Sequence, residues 1–413
     1  MKFEVVKNIL ISPLTEVNGI IEKKSPQPIL QHILLEAKED KLHLLGTDTE
    51  ITLATELPAK VEEAGKTTIS SETLTQLISQ LPDQANIHFH LENEQLFVSS
   101  GKSQFQLQTL PAEDYPIAQR TDKTGEFAID ALNFARLLDK VRFSMAKNDM
   151  RHYLNGLQLA VEGKNIEAVA TDGHRLSLAS SELNAADNVP NALILPSKAV
   201  KSLLENQLNI DKWHSHLEQS KLASSNVDEL NEIKDRIERL KELKKLPSFK
   251  QAEAQFCAVT LNLGERELSL DDGIYRLTTR LIDGKYPDYH KIIPSIQDNP
   301  IQIERKTLHE ALKRNSVVLT RTNETGVILE FKGHSLTITA RNNENELAEE
   351  HIDILNPADL EVRIGLNVAY LIEVADAVEG ERLQLHIQSA DGPMLITCEE
   401  EPALKYVIMP MRI

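Results

Sequence analysis

Three stretches of the chain change their hydrophobic spacing in the same way. Phe3 and Val5 alternate with polar positions, after which Leu10, Leu14 and Val17 recur at helical intervals. Phe127 and Ile129 lead likewise into Leu132, Ala135 and Leu138, and Ile301 and Ile303 into Leu308, Ala311 and Leu312. A period of two marks a half-buried strand and a period near 3.6 an amphipathic helix. Each stretch therefore predicts a strand running directly into a helix.

Further elements recur downstream. Alternating strands end in a small residue and a polar turn at Leu42–Asp48, Ile166–Asp172 and, more loosely, Leu336–Asn342. Helices are predicted over Ser71–Leu81, Ser197–Leu204 and Asn367–Val378, with Ser71 and Ser197 placed as N-caps. A strand meander then opens at Ile87–Leu91, Val259–Leu263 and Leu383–Ile387, and closes at Phe105–Leu107, Tyr275–Leu277 and Tyr406–Ile408. The order helix, strands, helix, strands thus occurs three times, and a repeat governs the fold reading.

Phe3 and Phe127 stand 124 residues apart, and Phe127 and Ile301 174. The surplus falls near residues 208–255, where Leu230, Ile233, Ile237, Leu240 and Leu243 are spaced as on one helix face. Nine bases balance nine acids there. The segment reads as an inserted helix or helical hairpin, either an exposed insert with a modest packing stripe or an arm that docks a partner. Domains are expected at 1–120, 126–295 with the insert, and 296–413.

At 413 residues the chain exceeds one compact core. No run is long and apolar enough to cross a bilayer, and Met1-Lys2-Phe3-Glu4 lacks the apolar core of a signal peptide. Cys257 and Cys398 are too few and too distant for a disulfide framework, so a reducing cytoplasm is expected. The formal charge of −18 argues against a repressor-like grip on DNA, because duplex DNA carries about one negative charge per 1.7 Å of axis. It is compatible with a protein held on DNA by topology, with bases gathered on an inner face.

Catalytic signatures are sparse. Asp172-Gly173-His174-Arg175, His88-x-His90 and His214-x-His216 offer possible acid, base or ligand groups, but a metal site needs three or four convergent ligands. Gly101-Lys102-Ser103 looks like the end of a phosphate loop, yet Leu96 stands where that motif needs glycine. No dinucleotide fingerprint or nucleophile elbow occurs. No catalytic residue, metal or cofactor is expected, and a scaffold that never touches DNA remains the alternative to a protein held on DNA by topology.

Six ordered segments carry a resemblance: Met1-Lys2-Phe3, Leu45-Gly46-Thr47-Asp48, Tyr153-Leu154-Asn155-Gly156, Ala170-Thr171-Asp172-Gly173-His174-Arg175-Leu176, Asp283-Gly284-Lys285-Tyr286-Pro287-Asp288-Tyr289 and Val407-Ile408-Met409-Pro410-Met411-Arg412-Ile413. With them the chain resembles the bacterial DNA polymerase III β sliding clamps over nearly its whole length apart from the insert. The resemblance implies an α+β fold of three repeated DNA-clamp domains, with helices on the inner face and antiparallel sheets outside. Two subunits would form a head-to-tail ring around duplex DNA without reading its sequence. The implied role is a non-enzymatic processivity factor at the bacterial replication fork, tethering the replicative polymerase, the clamp loader and other proteins through linear peptide motifs, with no membrane partner.

The resemblance also implies site residues. Lys24, Asn148, Arg151, Tyr153 and Lys198 correspond to DNA contacts, while His152 stands where the family often has an aromatic. A partner-peptide pocket falls on Leu154, Thr171, Gly173, His174, Arg175, Leu176, Pro287, Lys291, Ile292, Asn367, Tyr370, Pro393, Val407, Ile408, Met409, Pro410, Met411 and Arg412. Glu324 replaces an aromatic common at one corner. The dimer interface is expected at Lys102, Gln104, Phe105 and Leu107 against Val318 and Leu319 of the partner; Phe105 and Leu107 read equally as core residues. Arg136, Lys140, Arg142, Arg305, Lys306, Lys313 and Arg314 on the first helices, and Lys198 and Lys201 on a second, read either as DNA-facing or as solvated bases.

Overall fold

The computed structural model describes residues 1–117, 122–190, 192–208, 258–320 and 324–412. The insert predicted near 208–255, with His214 and His216, lies outside them beyond Leu208, as does Cys257. The described helices are α1 (Lys7–Ile20), α2 (Ser71–Gln80), α3 (Ala131–Asp139), α4 (Ser197–Ser202), α5 (Arg305–Thr320) and α6 (Val368–Ala377). All three strand-to-helix switches are present: Lys2–Val6 enters α1, Gly125–Asp130 enters α3, and Ile301–Glu304 enters α5. The predicted period change is the physical joint, because apolar side chains of strand and helix enter one core. Phe3 stacks on Phe89 with centroids 4.6 Å apart, and Phe127 meets Phe134 edge to face at 6.4 Å.

The cap assignments need correction. Ser70 caps α2, accepting the Thr73 N–H at 3.4 Å, while Ser71 is buried and donates its hydroxyl to Asn18 Oδ1 at 2.8 Å. Helix α4 begins at Ser197 itself, so the residue ahead of it is Pro196. Asn367 caps α6 through the Ala369 N–H at 2.9 Å. Among the described residues no helix is long and apolar enough to cross a membrane.

The chain packs as two compact units. The first comprises Met1–Ala135, Leu183–Val189 and Lys198–Leu281; the second comprises Arg136–Glu182, Pro190–Ser197 and Ile282–Ile413. The first holds a 14-stranded sheet, in which Tyr275–Arg280 of the second repeat pairs antiparallel with Ile51–Pro58 of the first. The second unit holds an eight-stranded sheet, in which Arg175–Glu182 of the second repeat pairs with Leu404–Ile408 of the third. Each sheet therefore runs through a repeat boundary, and the second repeat is divided between the two units. A separate ribbon of Gly326–Arg341 and Leu347–Asn367 completes the second unit.

The repeat extends to hydrogen bonds. In the first, Thr47 N–H donates to the Tyr115 hydroxyl (3.2 Å), Thr47 Oγ1 donates to Ile51 O (2.9 Å), and Asp48 Oδ1 accepts from Glu50 and Ile51 N–H (2.9 and 2.8 Å). In the second, Thr171, Tyr286, Arg175 and Asp172 make the same set at 3.1, 2.6, 2.9 and 3.0 Å, with His174 and Arg175 as the donors to Asp172. Asn342 holds the third turn by accepting from Glu344 and Glu346 N–H at 3.1 and 2.9 Å. The turn requires a positive φ, which Gly173 adopts at 90° without penalty and Thr49 adopts at 80° against the preference of a β-branched residue. Thr49→Gly is expected to stabilise the chain by roughly 0.5–1 kcal/mol, the relief of strain exceeding the added freedom of the unfolded glycine. Urea denaturation of both proteins checks this, and an unchanged or lower midpoint would count against it.

A buried imidazole sets a pH dependence in the second unit. His386 Nδ1 accepts the Gln297 N–H at 3.0 Å, so Nε2 carries the proton and donates to Thr397 Oγ1 at 2.9 Å. That arrangement requires a neutral ring, and burial holds its pKa below the usual histidine value. As pH falls through about 6.5 the unfolded chain takes up a proton that the folded chain refuses, so stability declines on the acid side and is complete above it. His32, also lowered by burial, adds in the same direction. Denaturation midpoints at pH 8 and 5.5 should differ in wild type and converge in part in His386→Gln.

Candidate functional site

The expected pocket residues all lie in the second unit. Arg175 pairs in register with Ile408 and Leu176 with Val407, which brings the 171–175 turn beside the C-terminal strand. Leu154, Leu176 and Val407 are buried in one cluster with Tyr286, Tyr289 and Leu395. Ile408, next along the strand from Val407, is buried as well. Beyond that strand the tail is tied on both sides: Met409 N–H donates to His174 O and Met411 N–H to Gly365 O, each at 2.9 Å. Met409 and Met411 remain 40% and 38% exposed, and Ile292 38%. Unbranched thioether side chains held at the surface suit an adaptable apolar contact.

Arg175 is an internal brace. Its side chain is 9% exposed, with Nε 3.1 Å from Asp172 Oδ2, Nη1 on Glu373, and the guanidinium 4.1 Å from the Tyr370 ring centroid. A planar cation between two carboxylates and an aromatic face fixes the position of α6, which carries Tyr370 and Glu373, against the turn. Asn367 and Pro393 are half-buried, Pro287 likewise, while His174, Lys291 and Arg412 are exposed. Lys291 reaches Asp288 at 2.9 Å. Burial holds the Tyr286 hydroxyl well above its ordinary pKa, so it stays protonated while accepting the Thr171 N–H. Sequence reasoning missed Glu373, Asp149 and Phe143, whose carbonyl oxygen accepts from Arg175 Nη2, as supports; nothing in their local sequence marks them, since their partners are distant or lie in an irregular loop.

Asn148, Arg151 and Tyr153 share one loop of the second unit. Asp149 N–H donates to Asn155 Oδ1 and Asn155 Nδ2 donates back to Asp149 O, both at 2.9 Å. Arg151 grips Asp149 through Nε (3.0 Å) and Nη2 (2.8 Å), and the guanidinium holds that carboxyl down to about 2. Lys24 and Lys198 belong to the first unit, where Lys198 pairs with Asp48. Several bases on the first helices have internal employment. Lys140 is buried against Glu379 and Glu401 at 2.9 and 3.4 Å, and Arg305 donates to the Gly380 and Ala375 carbonyls beyond and within α6 at 2.8 and 3.0 Å. Arg136, Arg142 and Arg314 pair with Glu379, Asp139 and Glu350, whereas Lys306 and Lys313 lie 3.9 Å from carboxylates and stay exposed.

Of the expected interface residues, Lys102, Gln104 and Phe105 are exposed and Leu107 is half-buried. Ser103–Gln108 pairs with Gln95–Ser100 and Thr109–Leu110 with Thr68–Ile69, so among the described residues Ser103–Gln108 keeps an open edge. Phe105 is thus not a core residue of this chain. On α5 Leu319 is 1% exposed and packed inward, Val318 is half-buried, and Val317 is the exposed apolar residue of that turn. His88 and His90 lie near Glu4 and Glu92, at 3.8 and 3.6 Å. Among the described residues no cluster of three or more His, Cys, Asp or Glu side chains could hold a metal.

Three equivalent modules, with sheets that run through the repeat boundaries and with Met409 and Met411 exposed beside the Arg175 brace, define a clamp-type protein. Comparison with known proteins makes this specific. Residues 1–119, 128–213 and 290–412 match the N-terminal, central and C-terminal domain models of the DNA polymerase III beta subunit. The beta sliding clamps of Pseudomonas aeruginosa and Escherichia coli are each 29% identical, with the whole of both chains covered. The crystal structure of the P. aeruginosa subunit superposes over both full chains with a TM-score of 0.83 at 28% identity, and that of Caulobacter crescentus with 0.82 at 26%. A further P. aeruginosa clamp structure, TM-score 0.82 and 28% identical over both full chains, is bound to griselimycin. The chain belongs to the DNA polymerase III β subunit family, and as a DNA sliding clamp it is a non-catalytic processivity factor of replication.

Proposed function

We propose that two copies of this chain, each with domains at 1–120, 126–295 and 296–413, close head to tail around duplex DNA and are retained by enclosure. The open edge of Ser103–Gln108, with Phe105 exposed on it, meets the Val318 end of α5 in the other copy. Lys24, Asn148, Arg151, Tyr153 and Lys198 touch the duplex. The groove around Arg175, Tyr370, Ile292 and Met409–Arg412 takes linear motifs of the replicative polymerase, the clamp loader and other partners, and griselimycin as well. The protein works in the bacterial cytoplasm, at the replication fork on the nucleoid.

The observation that carries this reading is the tail. A chain terminus tied by backbone hydrogen bonds to His174 and Gly365 nevertheless leaves two methionines at the surface, which suits a shared peptide site. The described helices support the DNA side: Lys198, Lys201, Lys306 and Lys313 stand exposed on α4 and α5 in a chain of net charge −18. Loading onto nicked circular DNA followed by gel filtration tests the enclosure. Protein that co-elutes with circles and is released on linearisation supports it; equal retention on linear DNA would refute it.

A further inference from the structure

We propose that Arg151 is a positioning residue that couples its loop to the 171–175 turn, so that occupancy of the pocket is felt at the loop. This rests on the pocket reading above. The guanidinium, anchored on Asp149, lies 3.5 Å (Nη2) from the Asp172 carbonyl oxygen and directly over Gly173, where a Cβ would stand 3.2 Å from Nη2. A second strut runs parallel to it. Tyr153 packs edge to face on Tyr286 at 6.5 Å, and Tyr286 accepts the Thr171 N–H. Gly284 permits that approach, since a Cβ there would lie 3.3 Å from Tyr153 Cβ.

The first repeat supplies an internal control. Its turn, Thr47–Ile51, has the same Thr, Asp and Tyr hydrogen bonds and the same positive φ. Uncharged Gln27 stands where Arg151 does by the 124-residue offset, and Thr49 stands where Gly173 leaves room for the guanidinium. The turn therefore folds without an arginine. The Arg151–Gly173 contact is an addition specific to the repeat whose turn borders the pocket, and it joins that turn to a loop stiffened by the Asp149–Asn155 bonds. Two rigid segments sharing a contact of this kind couple thermodynamically, and the effect is reciprocal.

Hydrogen exchange on the full chain, with and without griselimycin, tests the proposal in wild type, Arg151→Ala and Asp149→Asn. The expected result is that both variants exchange the His174 and Arg175 amides about 3–10-fold faster than wild type, while Glu50 and Ile51 in the first repeat are unchanged. Griselimycin should slow exchange at Asp149 and Arg151 in wild type and lose that effect at residue 149 in Arg151→Ala. Its Kd should rise by a similar factor with the melting temperature held, a change that a merely structural role would not produce. Unaltered exchange at 174–175 in both variants overturns the coupling. Failure of wild type to bind griselimycin refutes its assignment to the pocket and leaves the ligand-free exchange comparison to decide the brace. If Arg151→Ala fails to fold, Asp149→Asn decides alone.

Discussion

A chain ending at Ile408 should lose stimulation of its DNA polymerase while remaining folded and dimeric. Of the five removed residues, the four described ones contribute two backbone hydrogen bonds to the rest of the protein, worth about 1 kcal/mol each. Val407 and Ile408, which are 1% and 0% exposed, stay in place with their strand pairing to Leu176 and Arg175. What disappears is the exposed apolar surface of Met409 and Met411. Loss of the central apolar anchors of a peptide interface typically costs 2 kcal/mol or more, about 30-fold in affinity. Primer extension on a circular template at limiting polymerase should fall to the clamp-free level, with native mass and urea midpoint close to wild type. Full stimulation by the shortened chain would remove the tail from the pocket.

Gly156→Ala should be among the most damaging single changes to stability. A Cβ at that position would stand 2.2 Å from the Leu195 carbonyl oxygen and 3.0 Å from Ile282 Cδ1. The carbonyl belongs to the strand Ala192–Pro196, paired in register with Gly156–Glu162, so it cannot rotate away as a side chain would. Opening that pair also disturbs Asn155, which holds the 148–153 loop. A cost of about 3 kcal/mol or more follows. Gly163→Ala is the contrast: its φ of +60° imposes strain, but nothing lies within 4 Å of the new methyl, and about 1 kcal/mol is expected. Equal losses for the two variants would contradict the packing argument.

The threefold order of elements was legible because burial imposes a period, and a strand feeding a helix shows that period changing at Val6, Asp130 and Glu304. The N-cap of α2 was read one residue late, since Ser70 and Ser71 are chemically alike and only the backbone geometry separates them. The pocket's outline followed from resemblance, with Gly173 and the two methionines in place. Its supports did not, because Glu373 meets Arg175 across 198 residues of sequence and no local pattern announces such a pair. The bases were the most misleading signal. Lys140 and Arg305 read from the charges alone as DNA-facing or solvated, yet Lys140 pairs with Glu379 and Glu401 and Arg305 donates to carbonyls in and just beyond α6. Leu319 likewise reads as an interface residue until α5 is seen to turn it inward.

The continuity of each sheet through a repeat boundary bears on how the chain can be cut. Excising the middle repeat as a fragment would sever Tyr275–Arg280 from Ile51–Pro58 and Arg175–Glu182 from Leu404–Ile408 at once. Two rows of amides and carbonyls would be bared, and such a piece would self-associate instead of standing alone. The central segment would accordingly be the last that could be isolated as an autonomous module.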